Sequence, residues 1–496
     1  MEVKLTKFSR TDGDKLLCKK VLLQEGELVK TASANMLTGK FETITLDFHN
    51  EFGSFLQELS LDQALGMGIC QFCSTGDIVT RSSDKENVSN NKLCRTKDNF
   101  VWNKNHNLIF FDIDKNKADI TEIIADLFSV CPELAATDLW AYPSAGSCVT
   151  LDAEDHDKVK HIDKAISGWH IYLLIKGDVS KFQQWIEVKL WNAGKGWIEI
   201  SKSGAMLKRC LVDLAVFSPE RLDFIAGSHC GEGVTQDRGE PVRFESGTGE
   251  PLTGSWEVTS EEYTEYLARV ERAKFGKEAQ SVAKKKDYAG KLVTSGKAPD
   301  IPTALKLIES ANEDGELMGS WMLTLDSGKE VSVATVLDRP DQFDGLTCSD
   351  PLEPDYGGGR CKAKIFWNIK GSNEIRITSF AHGGRQWLLK YDYKSLLDWL
   401  ESEGVTVESI IASWKNKMTS KNSVITPEER SDILKKIKAR MGGSTDLKTL
   451  KNTLSKIELK EAQHEIDEEI AELNKSFAVL PIGNKVRILR EFEAIA

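Results

Sequence analysis

The strongest constraint on the fold is a short apolar run, residues 108–111 (LIFF), that leads into Asp112 and Asp114. A run of this kind is typical of a buried strand. Side chains alternate along a strand, so the two carboxylates point to the same face. They repel each other unless a cation lies between them, and carboxylate oxygens suit Mg²⁺ or Mn²⁺. Short acidic motifs are also common in solvated loops, which this pattern alone leaves open.

A second buried strand is predicted at residues 171–175 (IYLLI), directly after Ser167, Gly168 and His170. A turn of small residues lets backbone N–H groups approach a phosphate closely, and His170 can donate to a phosphate oxygen. A half-buried histidine that is satisfied by the backbone explains His170 equally well.

A third apolar segment, residues 211–217 (LVDLAVF), carries Asp213 and is predicted to be a strand. A lone acid in such a strand is costly to bury unless it is paired or binds a metal ion. Asp213 as a third metal ligand would meet that cost. Alternatively, Asp213 lies near a sheet edge and pairs with Lys208, Arg209 or Arg221.

Taken in order, these segments resemble the motifs hhDhD, sxH and hD (h, apolar; s, small) of the archaeo-eukaryotic primase superfamily. They match at residues 110–114, 168–170 and 212–213. The second motif begins with Gly168 rather than serine, which leaves open whether Ser167 or only backbone N–H groups meet the phosphates. Further segments resemble prophage and plasmid primase-polymerases, so that the likeness covers about residues 30–255; they are residues 94–102, 141–146, 214–224 and 236–238.

The resemblance implies a metal centre. Asp112, Asp114 and Asp213 would hold two Mg²⁺ or Mn²⁺ ions that clamp the attacking 3′-hydroxyl and the leaving pyrophosphate. These three aspartates would therefore be the catalytic residues.

The resemblance also implies a nucleotide site. His170, with Ser167 and Gly168, would bind the incoming triphosphate. Arg95 and Arg221 are further candidates for phosphate contacts, because arginine binds phosphate in a bidentate manner. Surface ion pairs explain these two arginines equally well.

The implied activity is template-directed nucleotidyl transfer, by a DNA primase, a DNA polymerase or both, in the replication of a mobile element. Its partners would be a single-stranded DNA template, a primer strand and ribo- or deoxynucleoside triphosphates. One alternative is a non-catalytic module that binds single-stranded DNA or an origin, although binding alone requires basic and aromatic residues rather than three carboxylates. Another is a different metal-dependent phosphotransferase or a nuclease, against which a triphosphate-binding His170 argues.

The expected fold class is α+β, with a catalytic core of mixed β-sheets flanked by helices, a small α/β module and a mainly helical C-terminal region. The predicted parts are the primase-polymerase domain (1–255), a charged helix and linker (256–300), the accessory module (301–404) and the helical region (405–496). Residues 471–490 resemble the segment that introduces a helicase module, and no Walker A sequence is present. A missing module or a partner helicase is therefore expected to supply unwinding.

Several local elements are also predicted. Helices are expected at residues 121–130 (capped by Thr121), 180–191 and 260–275, and from Pro427 onward. A flexible connector is expected within residues 284–299. Hairpins are expected within residues 321–336 and 477–489.

Composition and net charge restrict the possible partners and location of the protein. The 496 residues carry a net charge of −11, so a nucleic-acid surface must be local. No apolar run approaches the roughly 18 residues that span a bilayer, and the N-terminus lacks a secretory signal. We therefore expect the protein in the cytoplasm and expect no association with a membrane. Cys70, Cys73 and Cys94 lack a fourth ligand at a usual spacing, which argues against zinc.

Overall fold

The computed structural model describes the chain except for residues 26, 34–35, 80–91, 115–118, 152–165, 360, 368–373, 382–383, 419–421, 441–477, 483–484 and 490–496. The chain divides into two compact units. The first comprises residues 1–315, 323–330 and 341–387, and the second comprises residues 316–322, 331–340 and 388–496. Helices and several small sheets occur together, which confirms the α+β class. The primase-type core and the predicted domain boundaries stay predictions.

The N-terminal part of the first unit contains β1 (Glu2–Arg10), β2 (Cys18–Gln24), β3 (Glu27–Ser33), β4 (Gly39–Asp47), α1 (Phe52–Glu58), β5 (Gln63–Gly66), β6 (Ile69–Cys70), β7 (Thr75–Ile78), β8 (Lys92–Leu93) and β9 (Phe100–Val101). Strand β1 pairs antiparallel with both β4 and β5. Its apolar side chains are buried on both faces: Val3 and Leu5 join the main core, and Phe8 packs with Phe41 and Phe100.

The chain continues with β10 (Asn107–Asp114), α2 (Ile120–Val130), β11 (Leu139–Pro143), β12 (Val149–Leu151), β13 (Gly168–Lys176), α3 (Val179–Asn192), β14 (Gly196–Ile200), β15 (Met206–Cys210), β16 (Leu222–Asp223), β17 (Ser228–Cys230), β18 (Val234–Gln236), β19 (Val242–Phe244) and β20 (Leu252–Thr253). Two sheets result. The first has the order β16–β5–β1–β4–β7–β8, and the second has the order β10–β13–β11–β19, with β20 beside β13.

Strands β10 and β13 are apolar almost throughout because both faces of the second sheet are covered. On one face, the Phe111 ring stacks on Phe182 of α3 with centroids 6.3 Å apart. On the other face, Tyr172 meets Phe52 of α1 edge-on at 5.1 Å. This second face also shares a core with Val3 and Leu5 of the first sheet, so the two sheets pack against each other.

Two predicted strands are confirmed, since residues 108–111 lie in β10 and residues 171–175 lie in β13. The third is wrong: residues 211–217 do not form a strand, and Leu214–Val216 is a short 3₁₀ helix. The side chain of Asp213 accepts a hydrogen bond from the Ala215 N–H at 2.9 Å, and this capping bond favours a turn over an extended chain.

The predicted helices at residues 121–130 and 180–191 are present as α2 and α3. The predicted cap of α2 is wrong, because the carboxylate of Asp119 accepts from the Thr121 N–H at 2.8 Å and Thr121 lies inside the helix. An aspartate at this position satisfies a free N–H and also complements the helix dipole.

Three helices follow in the first unit, α4 (Ser260–Phe275), α5 (Glu278–Thr294) and α6 (Ile301–Glu309). The predicted helix over residues 260–275 is confirmed, with a capping box between Thr259 and Glu262. The flexible connector within residues 284–299 is wrong over most of its length, because α5 runs to Thr294. Ala289 and Leu292 of α5 are buried. A few apolar residues on one face are therefore enough to pack this charged helix against the protein.

The remaining elements are β21 (Glu316–Met318), β22 (Met322–Thr324), β23 (Glu330–Ser332), α7 (Val333–Asp338), α8 (Pro340–Phe343), β24 (Thr347–Cys348), β25 (Ala363–Trp367), β26 (Ile375–Ser379), β27 (Arg385–Asp392), α9 (Tyr393–Glu401), α10 (Val407–Met418), β28 (Ser423–Val424), α11 (Pro427–Arg440), β29 (Ala478–Ile482) and β30 (Lys485–Leu489). Within the hairpin predicted at residues 321–336, a turn is present at residues 326–328, and the Gly328 N–H donates to the Leu325 carbonyl at 2.8 Å. The hairpin prediction extends too far, because residues 333–338 form α7.

The second unit has its own core, in which α9, α10 and α11 pack around Tyr391, Trp414 and Ile433. The predicted helix start at Pro427 is confirmed, with reciprocal bonds between Thr426 and Glu429. Strands β29 and β30 pair antiparallel as expected, whereas the turn that joins them lies outside the described residues. In the part of the chain that the structure describes, no helix is long and apolar enough to cross a membrane.

Two glycines allow a matched test of backbone packing. A Cβ atom on Gly168 would lie 2.7 Å from the Ile113 carbonyl oxygen of the neighbouring strand, whereas a Cβ on Gly290 in α5 would meet nothing within 4 Å. Gly168→Ala should lower the free energy of unfolding by about 1–3 kcal/mol through overpacking. Gly290→Ala should raise it by about 0.5–1 kcal/mol, because alanine favours a helix. Urea unfolding of both variants measures this, and equal effects would contradict the assigned strand pairing.

Candidate functional site

The pairing of β10 with β13 brings the first two sequence motifs together. Asp112 lies directly opposite His170, and Asp114 lies opposite Gly168. On the other side of β13, His170 lies opposite Tyr142 of β11. Directly opposed residues project from the same face of a sheet. Asp112, His170 and Tyr142 therefore form a row across the second sheet, on the face that meets the first sheet.

Asp213 joins this row although it does not lie in a strand. Its N–H donates to the Asp112 carbonyl at 2.9 Å, along the edge of β10 that no strand of the described residues covers. Its carboxylate caps the following 3₁₀ helix and is partly exposed. The three aspartates predicted as metal ligands are thus brought to one end of β10, with Asp114 the most exposed of them.

A fourth carboxylate, Asp223, was missed in the sequence. It lies on β16 of the first sheet and is 1% exposed. The Tyr172 hydroxyl donates to its Oδ2 at 2.6 Å, and its Oδ1 lies 2.9 Å from Nδ1 of His170. Asp223 lies between the apolar residues Leu222 and Phe224, and an acid in such a position is costly to bury without a partner, as argued for Asp213. This pattern in the sequence could have identified Asp223 as a site residue.

The electrostatics of the row follow from its burial. Burial alone would lower the pKa of His170, but the carboxylates of Asp223 and Asp112 outweigh it and raise this pKa to about 9. Nε2 of His170 lies 3.5 Å from Oδ1 of Asp112. Burial raises the pKa of Asp112 to about 6; the His170 charge opposes this shift, and the carboxylates of Asp114 and Asp213 add to it. At neutral pH the row therefore contains a protonated imidazole among several carboxylates.

Ser167 and Gly168 have structural explanations in this geometry. The Ser167 N–H donates to Oγ of Ser147 at 3.0 Å, and the two hydroxyl oxygens are 3.2 Å apart. Ser147 is itself fully buried and lies 3.1 Å from the Ser144 hydroxyl. A small residue is needed at position 168 because β10 approaches its backbone closely.

The two candidate arginines hold the segment that connects Asp213 to Asp223. Nη1 of Arg95 donates to the Glu220 carbonyl at 2.6 Å, and Nη1 of Arg221 donates to the Ala215 carbonyl at 2.9 Å. Burial of the Arg95 guanidinium lowers its pKa to about 10. Both arginines thus fix the path of a loop that supplies two acids to the row.

The cysteine cluster lies away from this row. The Sγ atoms of Cys70 and Cys73 are 4.0 Å apart, and Asn99 donates to the Cys94 carbonyl at 2.7 Å. Among the described residues, no three His, Cys, Asp or Glu side chains stand ready as the ligand set of a metal ion. This statement covers the aspartate row as well as the cysteines.

A cavity of about 560 Å³ borders the row beside Tyr142. The guanidinium of Arg238 lies over the Tyr142 ring, 4.2 Å from its centroid. The wall is completed by residues that follow Asp223 in the chain, among them Ala226, Ser228 and Thr235. The segment that contains Arg238, residues 236–238, resembles primase-polymerases in sequence, but the sequence predicts no role for Arg238.

Comparisons with known proteins add no name to this geometry: no protein-family model, no curated protein and no solved structure matches the chain. The resemblance to primases therefore rests on the sequence motifs alone.

The chemistry of the row fits a hard divalent cation. Oδ1 of Asp112 is buried and makes no hydrogen bond with any described residue, and the pKa of this aspartate is raised by burial and by its acidic neighbours. A bound cation would offset both effects. Asp112, Asp114 and Asp213 are the residues that would hold it, after side-chain rotation.

The raised pKa of His170 predicts a pH-dependent stability. The folded value of about 9 exceeds the unfolded value of about 6.5, so His170 stabilises the fold fully below about pH 6.5, and this stabilisation is lost as the pH rises through about 9. The wild type should have a higher free energy of unfolding than His170→Gln at pH 6.5. This difference between the two proteins should be smaller at pH 9.5. Urea unfolding with a chelator present measures the difference, and a difference independent of pH would refute the assignment.

Proposed function

We propose that this chain is a template-directed nucleotidyltransferase, a DNA primase, a DNA polymerase or both, acting in the replication of a mobile element. The observation that carries the proposal is the convergence of three separate sequence motifs on one end of β10. Asp112, Asp213 and His170 are joined there by strand pairing and by one backbone bond. The order of the motifs and their resemblance to primases give this convergence its chemical meaning.

In this proposal Asp112, Asp114 and Asp213 hold two Mg²⁺ or Mn²⁺ ions. Such ions, when bound, activate the attacking hydroxyl and neutralise charge on the leaving phosphates. The primer 3′-hydroxyl forms a bond to the α-phosphorus of the nucleotide and loses its proton, and the bond to pyrophosphate breaks. The aspartates would position the reactants through these ions.

His170 fits the role of a triphosphate-binding residue because it is charged at neutral pH. Its Nδ1 faces Asp223, which leaves Nε2 on the side of Asp112. The ion pair with Asp223 fixes the ring, and Phe110 stacks on it with centroids 5.2 Å apart. A cation held in this way favours a polyanionic nucleotide, which supports a transferase over the alternative of a nuclease.

The alternative of a non-catalytic DNA-binding module is less well supported. It gives no reason for gathering Asp112, Asp114 and Asp213 at one end of β10, where they raise the pKa of Asp112.

A nucleic-acid strand also needs a local basic surface on this acidic protein. Nζ of Lys30 donates to the Gly146 carbonyl at 2.9 Å, and Nζ of Lys19 lies 3.1 Å from where a Cβ on Gly146 would be. The two lysines thus converge on the turn that precedes the buried Ser147. That turn adjoins Gly168, since the Ser144 N–H donates to the Gly168 carbonyl. We include this lysine pair in the proposal as a phosphate contact for the strand.

The acids provide the first test of the proposal. Asp112→Asn, Asp114→Asn and Asp213→Asn should each reduce primer extension on a single-stranded template by roughly 1000-fold or more, because each removes charge that holds a catalytic metal. Extension is measured with labelled nucleotides and Mg²⁺ or Mn²⁺, with and without a primer, and a chelator should abolish it.

Asp126→Asn is the matched control, since Asp126 is exposed and pairs with Lys195 on the surface. It should extend primers like the wild type. Near-normal extension by any of the three site variants would show that the metal assignment is wrong.

The lysine pair provides a second test. Affinity for single-stranded DNA should fall with salt through counterion release, with a logarithmic slope of about −0.7 for each phosphate contacted. Lys19→Gln with Lys30→Gln should therefore make the slope shallower by about 1.4. Lys4→Gln with Lys181→Gln changes the net charge equally at exposed positions and should leave the slope unchanged. Equal slopes for both double variants would remove the lysine pair from the DNA path.

A further inference from the structure

The cavity beside Tyr142 continues the row of Asp112 and His170. Tyr142 lies directly opposite His170, so the cavity begins one strand away from the proposed triphosphate site. Its volume of about 560 Å³ lies within the range of small-molecule pockets, about 300–1,000 Å³. Tyr142 therefore links the cavity to the row of Asp112 and His170.

Arg238 is held rigidly in the wall of this cavity. Its Nη1 donates to the Ile225 carbonyl at 2.8 Å and to the Pro143 carbonyl at 3.2 Å. The guanidinium covers the ring of Tyr142, and Arg238 also lines the cavity. A planar group fixed in this way offers a flat surface on which another ring can stack.

The surrounding wall includes Gln57 and Asp237, and the carboxylate of Asp237 disfavours an anionic group. Two other polar residues of the wall already make hydrogen bonds within the protein. The Gln236 side chain donates to the carbonyls of Ala145 and Ser147 and accepts from the Ser228 N–H. The Ser228 hydroxyl is also used, because it donates to the Ala145 carbonyl at 2.6 Å. With Ala226 completing the wall, the cavity suits a flat, neutral ring better than a phosphate group.

We propose that this cavity holds the nucleoside part of the incoming nucleotide, with the base stacked on Arg238 and the phosphates at His170. The inference rests on the proposed function and adds the residues that bind the base. It predicts that Arg238 contributes to binding of nucleosides and not to binding of phosphate chains.

Arg238→Lys tests this, because lysine keeps the positive charge and loses the planar surface. Affinities for dATP, dTTP and inorganic tripolyphosphate are measured by calorimetry with Mg²⁺ and without a template. The variant should bind both nucleotides about 10-fold more weakly, since stacking of one base contributes about 1–3 kcal/mol. Its affinity for tripolyphosphate should stay within twofold of the wild-type value.

Two further variants separate stacking from folding. Arg243→Lys alters an arginine of β19 that pairs with Asp138 and does not line the cavity, and this variant should bind all three ligands normally. Ala226→Leu adds volume to the cavity wall and keeps Arg238 itself unchanged. It should also weaken binding of dATP and dTTP but not binding of tripolyphosphate. Circular dichroism and thermal unfolding confirm that each variant is folded.

The outcomes are distinct. Equal losses for nucleotides and tripolyphosphate, or no loss in either cavity variant, would overturn the assignment of the base while leaving the proposed activity standing. A wild-type protein that binds none of the three ligands would overturn the proposed function together with this inference.

Discussion

The candidate site depends on the buried carboxylate of Asp223, which joins the two sheets of the first unit. It accepts a hydrogen bond from Tyr172 at 2.6 Å and lies 2.9 Å from Nδ1 of His170, and both of these residues belong to the second sheet. A charge taken out of water is tolerated only when such partners surround it. This contact therefore fixes the spacing of the sheets, and with it the orientation of the histidine.

The segment that leads to Asp223 explains how the other acids assemble. It leaves the edge of the second sheet at Asp213, whose N–H bonds the backbone of Asp112, and it enters the first sheet at β16. Arg95 and Arg221 hold its carbonyl groups along the way. Four carboxylates thus gather around one imidazole, and the excess negative charge gives the site its affinity for cations in the proposed mechanism.

Local patterns predicted part of this arrangement. The apolar runs of β10 and β13 predict strands correctly because both faces of these strands are buried, although β10 lies at the edge of its sheet. Residues 211–217 are equally apolar, yet the capping bond of Asp213 turns the chain there. The charged helix α5 was mistaken for a connector because only a few of its side chains, such as Leu292, are buried.

The sequence by itself determined which acids and which histidine are available, their order, and the strand periodicity that points Asp112 and Asp114 the same way. The tertiary structure alone decided their partners. Strand register placed His170 opposite Asp112, and the packing of one sheet on the other supplied Asp223. The physical reason is that periodicity is a local property, whereas the burial of a charge depends on residues that are distant in the chain.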